Sequence, residues 1–335
     1  MKALTLKKYS KSSPIIEFSD VPKPKIKPNE MLVQVYAAGV NPIDNIIPTG
    51  LFKPVLQFQL PATIGSDLSG VVVEVGSQVT RFKPGDAIFA SIFDLGIGSF
   101  AEYAVVPENT AAFKPVNLDF VQAASIPMVS LTSWQALKER GNVKAGQKVF
   151  IPAGSGGIGT FAIQLAKHLG ATVATTTSTR NVDFVRDLGA DTVVDYKKQE
   201  FEKVLHNYDL MLGTIKGDAI EKSIGILKPG SKILSLVGPL DAPFARARKL
   251  NGILTFVFGL MSRKINKLSK KQNVDYSFLF VRPDGAQLSD IGKLLEAERI
   301  KPVIDKVFPF EQAKEALAYL AEGHAKGKVV IKINN

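Results

Sequence analysis

The residues best placed to do chemistry form one short run, Gly154-Ser-Gly-Gly-Ile-Gly159, between the apolar stretch Lys148-Val-Phe-Ile-Pro152 and the helical stretch Thr160-Phe-Ala-Ile-Gln-Leu-Ala-Lys-His-Leu169. A strand that turns sharply into a helix leaves the first helical amides unpaired and the positive dipole end exposed, which suits a phosphate. In such a turn Gly154 makes the bend, Gly156 lets a diphosphate approach the backbone, and Gly159 lets the helix pack against the strand. Ser155, Gly157 and Ile158 complete the candidate cofactor loop. The glycine spacing alone is weak, but the strand before, the helix after and a further strand at Thr172–Thr176 make it strong.

A dinucleotide is the ligand this pattern predicts, and the next strand end bears on which one. Domains that bind NAD place an acid about 20 residues beyond the glycines, on the ribose 2′-hydroxyl. Here the stretch reads Ala174-Thr-Thr-Thr-Ser-Thr-Arg-Asn181 and holds no acid. Thr177, Ser178 and Arg180 offer hydroxyls and a forked cation suited to a 2′-phosphate, so NADPH is expected over NADH. A rival reading takes Ala153-Gly-Ser-Gly-Gly157 as a nucleophile elbow with Ser155 attacking an ester. It needs a histidine base, and the chain has only His168, His206 and His324.

The elements that must position this loop are legible in outline. Residues 1–110 carry short β-rich runs such as Leu32–Tyr36, Gly70–Val75 and Ala87–Ala90, with Lys83-Pro-Gly-Asp86 as a turn. From about Ala123 apolar strands alternate with helical stretches, the pattern of a parallel sheet covered on both faces. The predicted strands are Lys148–Pro152, Thr172–Thr176, Thr192–Val194, Leu210–Leu212 and Lys232–Val237. Past Tyr276 come an apolar run at Phe278–Val281, a helix near Gln287–Ala297, an extended piece Pro302–Phe308, a helix near Phe310–Glu322 and a last strand from Val329. This tail is expected to return to the first domain.

The 335 residues are 45% hydrophobic and 22% charged, which fits a soluble globular protein of two domains. Without cysteine there can be no disulfide, thiolate nucleophile, iron–sulfur cluster or sulfur-ligated zinc. No targeting signal is visible at Met1-Lys-Ala-Leu-Thr-Leu6, so a cytoplasmic protein is expected. The most apolar run, Gly252–Met261, is about half of the ~20 residues needed to cross a bilayer. The net charge is +11, and Arg246, Arg248, Lys249, Arg263, Lys264, Lys267, Lys270 and Lys271 supply eight cations in a stretch without Asp or Glu. Charge confined to one segment argues against a broad nucleic-acid groove.

Ala37-Ala-Gly-Val-Asn-Pro-Ile-Asp44, Gly65-Ser-Asp-Leu-Ser-Gly-Val-Val72, Gly98-Ser-Phe-Ala-Glu-Tyr103, the glycine turn, Leu188-Gly-Ala-Asp191 and Gly327-Lys-Val-Val330 stand in order along nearly the whole chain. Together they resemble the medium-chain dehydrogenase/reductase family, in its zinc-independent, quinone oxidoreductase-like branch. The resemblance implies an α/β protein in which a doubly wound parallel-sheet (Rossmann) cofactor domain, 125–276, is inserted into a β-rich GroES-like substrate domain, 1–124 and 277–335. It also implies a homodimer and an active site beside the cofactor. Tyr196 resembles the tyrosine of the 2′-phosphate pocket; Thr132 and Val237-Gly238-Pro239 resemble segments that lie against the nicotinamide. Phe280 and Lys326 are further cofactor contacts expected on this basis.

Zinc-dependent relatives hold their metal with cysteine and histidine, whereas Asn41 stands at the first such position and Gly65-Ser66-Asp67 replaces the later Gly-His-Glu. No zinc site is expected, and the hydroxyl that relays the alcohol proton in those relatives is replaced by Ile43. Without a Lewis acid to stabilise an alkoxide, alcohol oxidation is disfavoured. A quinone or an α,β-unsaturated carbonyl compound is already electrophilic and needs only a few donors for the oxygen that gains charge. Asn41 is the first candidate donor, its alternative role being to fix the turn before Pro42. Asp44 would orient Asn41 or the substrate, or merely bond locally. For residues 252–271 three readings stand: a lid over an apolar substrate, a membrane-surface patch, and a solvated basic helix beside a buried apolar one. The alternative to a reductase is a cofactor-binding protein with little catalysis, a binder of nucleic acid, as among the zeta-crystallins, or of a membrane surface.

Overall fold

The computed structural model describes residues 1–56 and 58–334 and divides into two units, Met1–Leu131 with Arg282–Asn335, and Thr132–Val281. These divisions fall a few residues beyond the expected 124/125 and 276/277. At the first, the Met128 N–H is bonded to Asp67 of the first unit at 3.1 Å, which keeps residues 125–131 there. At the second, Asp275–Phe278 pairs parallel to Leu227–Ser235 and adds a strand to the second unit. The apolar run at Phe278 therefore ends that unit's sheet before the chain returns to the first.

In the second unit six parallel strands lie in the order Thr192–Asp195, Thr172–Thr177, Lys148–Ile151, Tyr208–Gly213, Leu227–Ser235, Asp275–Phe278. The chain starts in the middle, winds to one edge, then returns past its start to the other, which is the doubly wound order 3-2-1-4-5-6. The five expected strands are all present. Their interior residues, Val149, Phe150, Ile151, Val173, Ala174, Met211, Leu212, Ile233 and Leu234, are buried, as strands covered on both faces require. Phe150 packs on Tyr208 and Phe201 at ring separations of 6.3 and 4.9 Å, within the core of this unit.

The first unit holds a three-stranded sheet, in which Lys2–Lys8 pairs with Ile15–Asp20 and Ala62–Thr63, and a seven-stranded one built on the long strand Glu30–Val40. Glu30–Val40 pairs antiparallel with Asp67–Val75 and with Lys328–Lys332, so residues nearly 300 apart in sequence share one sheet. Register sets the neighbours. Val329 faces Val40 and Ser69 faces Ala37, which brings Lys328, Asn41 and Asp67 together where the three strands end or begin. Gly39 makes the approach possible, because a Cβ there would meet the Ala124 carbonyl oxygen at 2.4 Å and the Asp67 Cβ at 3.2 Å.

Between the fifth and sixth strands of the second unit come three helices, Ala242–Ala247, Gly252–Met261 and Arg263–Lys271. Asp241 fixes their start: its carboxylate accepts from the Phe244 N–H at 2.7 Å and from the Phe278 N–H at 2.9 Å. Phe244 then packs on Phe258, Phe278 and Phe280. The expected buried apolar helix is only half buried. Phe258 faces inward, while Ile253, Phe256, Leu260 and Met261 are at least half exposed. No helix among the described residues is long and apolar enough to cross a membrane.

Candidate active site

The glycine turn of the second unit lies where the middle strand meets the Gly157–His168 helix, at the point where the strand order reverses. Its left-handed residue is Ala153, at φ +55°, and not a glycine. Gly154 serves by smallness instead, since a Cβ there would strike the Thr175 hydroxyl at 2.1 Å. Gly159 does the same for the helix: a Cβ would meet the Ala153 carbonyl oxygen at 2.4 Å and the Gly154 Cα at 2.6 Å. Gly156 differs. It caps the helix in an extended conformation, and a Cβ would meet nothing closer than the Ala153 oxygen at 3.4 Å. The space beside Gly156 is open and faces the first helical amides, Gly157, Ile158 and Gly159, which have no intrahelical acceptor. The residues there fit a diphosphate.

Beyond the turn, the ends of the two strands on one side carry Thr177, Ser178, Arg180 and Tyr196. The Thr177 hydroxyl donates to the Ser155 hydroxyl at 3.1 Å, and the Tyr196 N–H donates to the Thr177 carbonyl at 3.1 Å. Ser178 caps the short turn Thr179–Asn181, on which Arg180 is exposed. The nearby acid, Asp195, is turned inward. It accepts from the Thr179 hydroxyl at 2.7 Å and the Lys197 N–H at 3.0 Å, and the Thr179 bond holds its carboxyl below the usual range. On the other side of the middle strand, two strands across, the Ser235 hydroxyl accepts from the N–H groups of Val237 and Gly238, shaping that turn. Phe280 packs among Phe244, Phe278 and Arg248, its ring tilted against both phenylalanines. Thr132 is buried in the Pro127–Trp134 helix.

Ser155 has no histidine base along its own helix. His168 lies at the far end, about 16 Å along the axis at 1.5 Å per residue, and the exposed His206 follows two strands later.

The second constellation lies wholly in the first unit. The Asn41 Nδ2 donates to Asp67 at 2.9 Å, and the Lys328 Nζ donates to the Asn41 Oδ1 at 2.5 Å and the Val40 carbonyl at 3.0 Å. Lys328 also faces Asp67 at 3.9 Å. Asp44 sits beside them, accepting from the Ser66 hydroxyl at 2.6 Å and from the Asn41 N–H at 2.8 Å. Asn41 thus both begins the Pro42–Ile46 helix and joins a buried polar network. Lys326 precedes Gly327, whose φ of +92° turns the chain into the Lys328 strand.

Burial dominates the electrostatics here. It raises Asp44 to about 7, against the hydrogen bonds from Ser66 and Asn41, and raises Asp67 to about 6, against Lys328. The same burial lowers Lys328. The sequence reading named Asn41 and Asp44 but missed Lys328, Asp67 and Ser66 as members of the cluster. Asn41 and Ser66, at the positions where the family resemblance implies zinc ligands, are an amide and a hydroxyl bound into this network. Among the described residues no group of three or more His, Cys, Asp or Glu could hold a metal ion.

A doubly wound dinucleotide-binding unit interrupting a β-rich unit defines a class of pyridine-nucleotide oxidoreductases, and comparison with known proteins narrows it. Residues 27–116 match the family model described as alcohol dehydrogenase GroES-like domain, and residues 188–331 the one described as zinc-binding dehydrogenase. The chain is 36% identical to the Danio rerio protein named NAD(P)H oxidoreductase RTN4IP1, mitochondrial, over 99% of this chain and 91% of that one. It is 34% identical to the Arabidopsis thaliana NADPH-dependent alkenal/one oxidoreductase, chloroplastic, over 99% and 79%. The solved quinone oxidoreductase from Coxiella burnetii superposes with a TM-score of 0.84 at 30% identity, covering 100% of this chain and 99% of that one. The chain belongs to the medium-chain dehydrogenase/reductase family, in its zinc-independent branch.

Proposed function

We propose that the protein is an NADPH-dependent oxidoreductase that reduces quinones or α,β-unsaturated carbonyl compounds without zinc. The observation that carries this reading is the open cradle beside Gly156, with acid-free Ser178 and Arg180 at the next strand end. The names of relatives along nearly the full chain point the same way, to NAD(P)H, alkenal/one and quinone oxidoreduction.

In this reading the amides of Gly157, Ile158 and Gly159 hold the diphosphate, and Thr177, Ser178, Arg180 and Tyr196 hold the 2′-phosphate. Val237, Gly238, Thr132 and Phe280 complete the cofactor's surroundings within the second unit, while Lys326, the further contact expected, belongs to the first. When bound, the reduced nicotinamide supplies a hydride to an electron-poor carbon. The chain's own task is to align the acceptor, exclude water and stabilise the oxygen that gains charge. Asn41 has a second amide proton beyond the one given to Asp67, and Lys328 on its oxygen polarises the amide and strengthens that donor. Asp44 holds the Asn41 backbone. A cytoplasmic homodimer is the assembly and location we assign to the enzyme, to be read by light scattering and cell fractionation.

The deciding experiment follows NADPH oxidation against a panel of quinones, enals and enones, with NADH as control. Turnover with NADPH and at least one acceptor class is expected. Failure of both nucleotides to bind in calorimetry would end this reading. Asn41→Ala tests the donor: unchanged turnover with every acceptor removes Asn41 from the chemistry.

A further inference from the structure

The most unusual surface of the second unit is the pair of helices Gly252–Met261 and Arg263–Lys271. On the first, Ile253, Phe256, Val257 and Leu260 recur at helical spacing on one outward face, with exposures of 75%, 67%, 40% and 52%. Large apolar side chains this exposed and this contiguous mark a surface that something covers. The inward face is already satisfied, since Phe258 packs on Phe244 at 6.2 Å. The second helix buries Ile265 and Ser269 and exposes Arg263, Lys264, Lys267, Lys270 and Lys271. Of these, Lys264 is paired with Glu221, and the other four have no carboxylate partner among the described residues. Arg246 and Lys249 add exposed cations just before, and no acid occurs between Asp241 and Asp275.

The charge decides the occupant. A second copy docking about a two-fold axis would bring this patch near its equal, with two sets of uncompensated cations and no acid in either segment to meet them. A bilayer carrying anionic headgroups offers both complements at once: negative charge for the lysines and an apolar boundary for Phe256 and Leu260. Neither helix spans, so they would lie in the plane of the surface.

We propose that these two helices dock the protein on an anionic lipid surface, the outward face of Gly252–Met261 entering the headgroup boundary and the cations of Arg263–Lys271 meeting lipid phosphates. The docking needs no turnover, so it stands apart from the substrate reading and is tested without it. A membrane-docked reductase would reach acceptors that dissolve in lipid.

The test is cosedimentation of the full-length protein with phosphatidylcholine vesicles, with and without phosphatidylglycerol. Binding is expected only with the anionic lipid and should weaken steeply with salt. Phe256→Asp with Leu260→Asp should abolish it. Lys267→Gln with Lys270→Gln should weaken it by about tenfold or more. Because these positions are exposed, melting temperature and NADPH oxidation with a water-soluble quinone should be unchanged in both variants. Absence of binding to anionic vesicles at low salt overturns the proposal, as does equal binding to neutral vesicles. Conversion of a dimer to a monomer by Phe256→Asp, without vesicle binding by the parent, assigns the face to a second copy and also overturns it. RNA binding by the parent, lost in the lysine variant while vesicles are ignored, does the same.

Discussion

At the scale of single residues, the Asn41, Asp44, Asp67 and Lys328 cluster is the part of the molecule where pH should matter most. Asp44 and Asp67 ionise near neutrality because burial penalises the charged carboxylates more than their hydrogen bonds favour them. An aspartate with a raised folded value binds its proton in the native state over a range where the unfolded chain has released it. Stability from this source is therefore full below about pH 4 and is lost as pH rises through about 6 to 7. Each group can contribute a slope of up to about 1.4 kcal/mol per pH unit. Asp44→Asn keeps an acceptor oxygen and removes the titration. Urea unfolding of the two proteins between about pH 4.5 and about pH 8 should show a shallower fall for the variant. Parallel curves would mean that Asp44 keeps an ordinary value in the fold. Lys328→Met should cost more than Asp44→Asn, because it leaves Asp67 and the Asn41 oxygen buried without their cation.

At the scale of elements, the phosphate turn separates packing from ligand binding at two glycines three residues apart. Gly159→Ala drives a methyl into the Ala153 carbonyl and the Gly154 Cα, so it should cost about 1 to 3 kcal/mol of stability and loosen the turn. Gly156→Ala has room in the protein, so its melting temperature should hold within a degree or so while NADPH affinity falls at least about tenfold, because the methyl takes the diphosphate's place. A Gly156→Ala protein that binds NADPH normally would show that nothing approaches the backbone there. Arg180→Ala should raise KM for NADPH by about tenfold and leave NADH unaffected, since only the former carries the phosphate that a guanidinium can grip. The turn was legible in the sequence because its strand, glycines and helix are consecutive. Its left-handed residue was not, since alanine at position 153 carries no sign that it adopts φ +55°. Lys328 escaped notice for a different reason: Asn41 lies 287 residues away along the chain, and only the register of the last strand brings the two together. The apolar run Phe278–Val281 read as part of the returning tail, and nothing in it says that Asp275–Phe278 joins the sheet of the second unit. The apolar run Gly252–Met261 announced a helix, while the exposure of half of it is a property of what remains uncovered around it.

At the scale of the whole molecule, the two units differ in how the chain makes them, and that difference can be measured. The second is one continuous stretch, Thr132–Val281, around its own core of Phe150, Met211, Ile233 and Tyr276. The first is assembled from both ends of the chain, and its seven-stranded sheet is incomplete until Lys328–Lys332 arrives beside Glu30–Val40. The diphosphate cradle belongs entirely to the continuous unit, so NADPH should stabilise the unfolding transition that carries the six-stranded sheet. A ligand that binds only the native state at a hundredfold over its Kd contributes about 2.7 kcal/mol. For a unit of this size that is a rise of roughly 5 to 10 °C in the midpoint of that transition. Scanning calorimetry of the full chain with NADPH, repeated on Gly156→Ala, separates the cause. The rise should appear in the parent and vanish in the variant, because stabilisation that survives loss of the cradle must come from somewhere else on the protein.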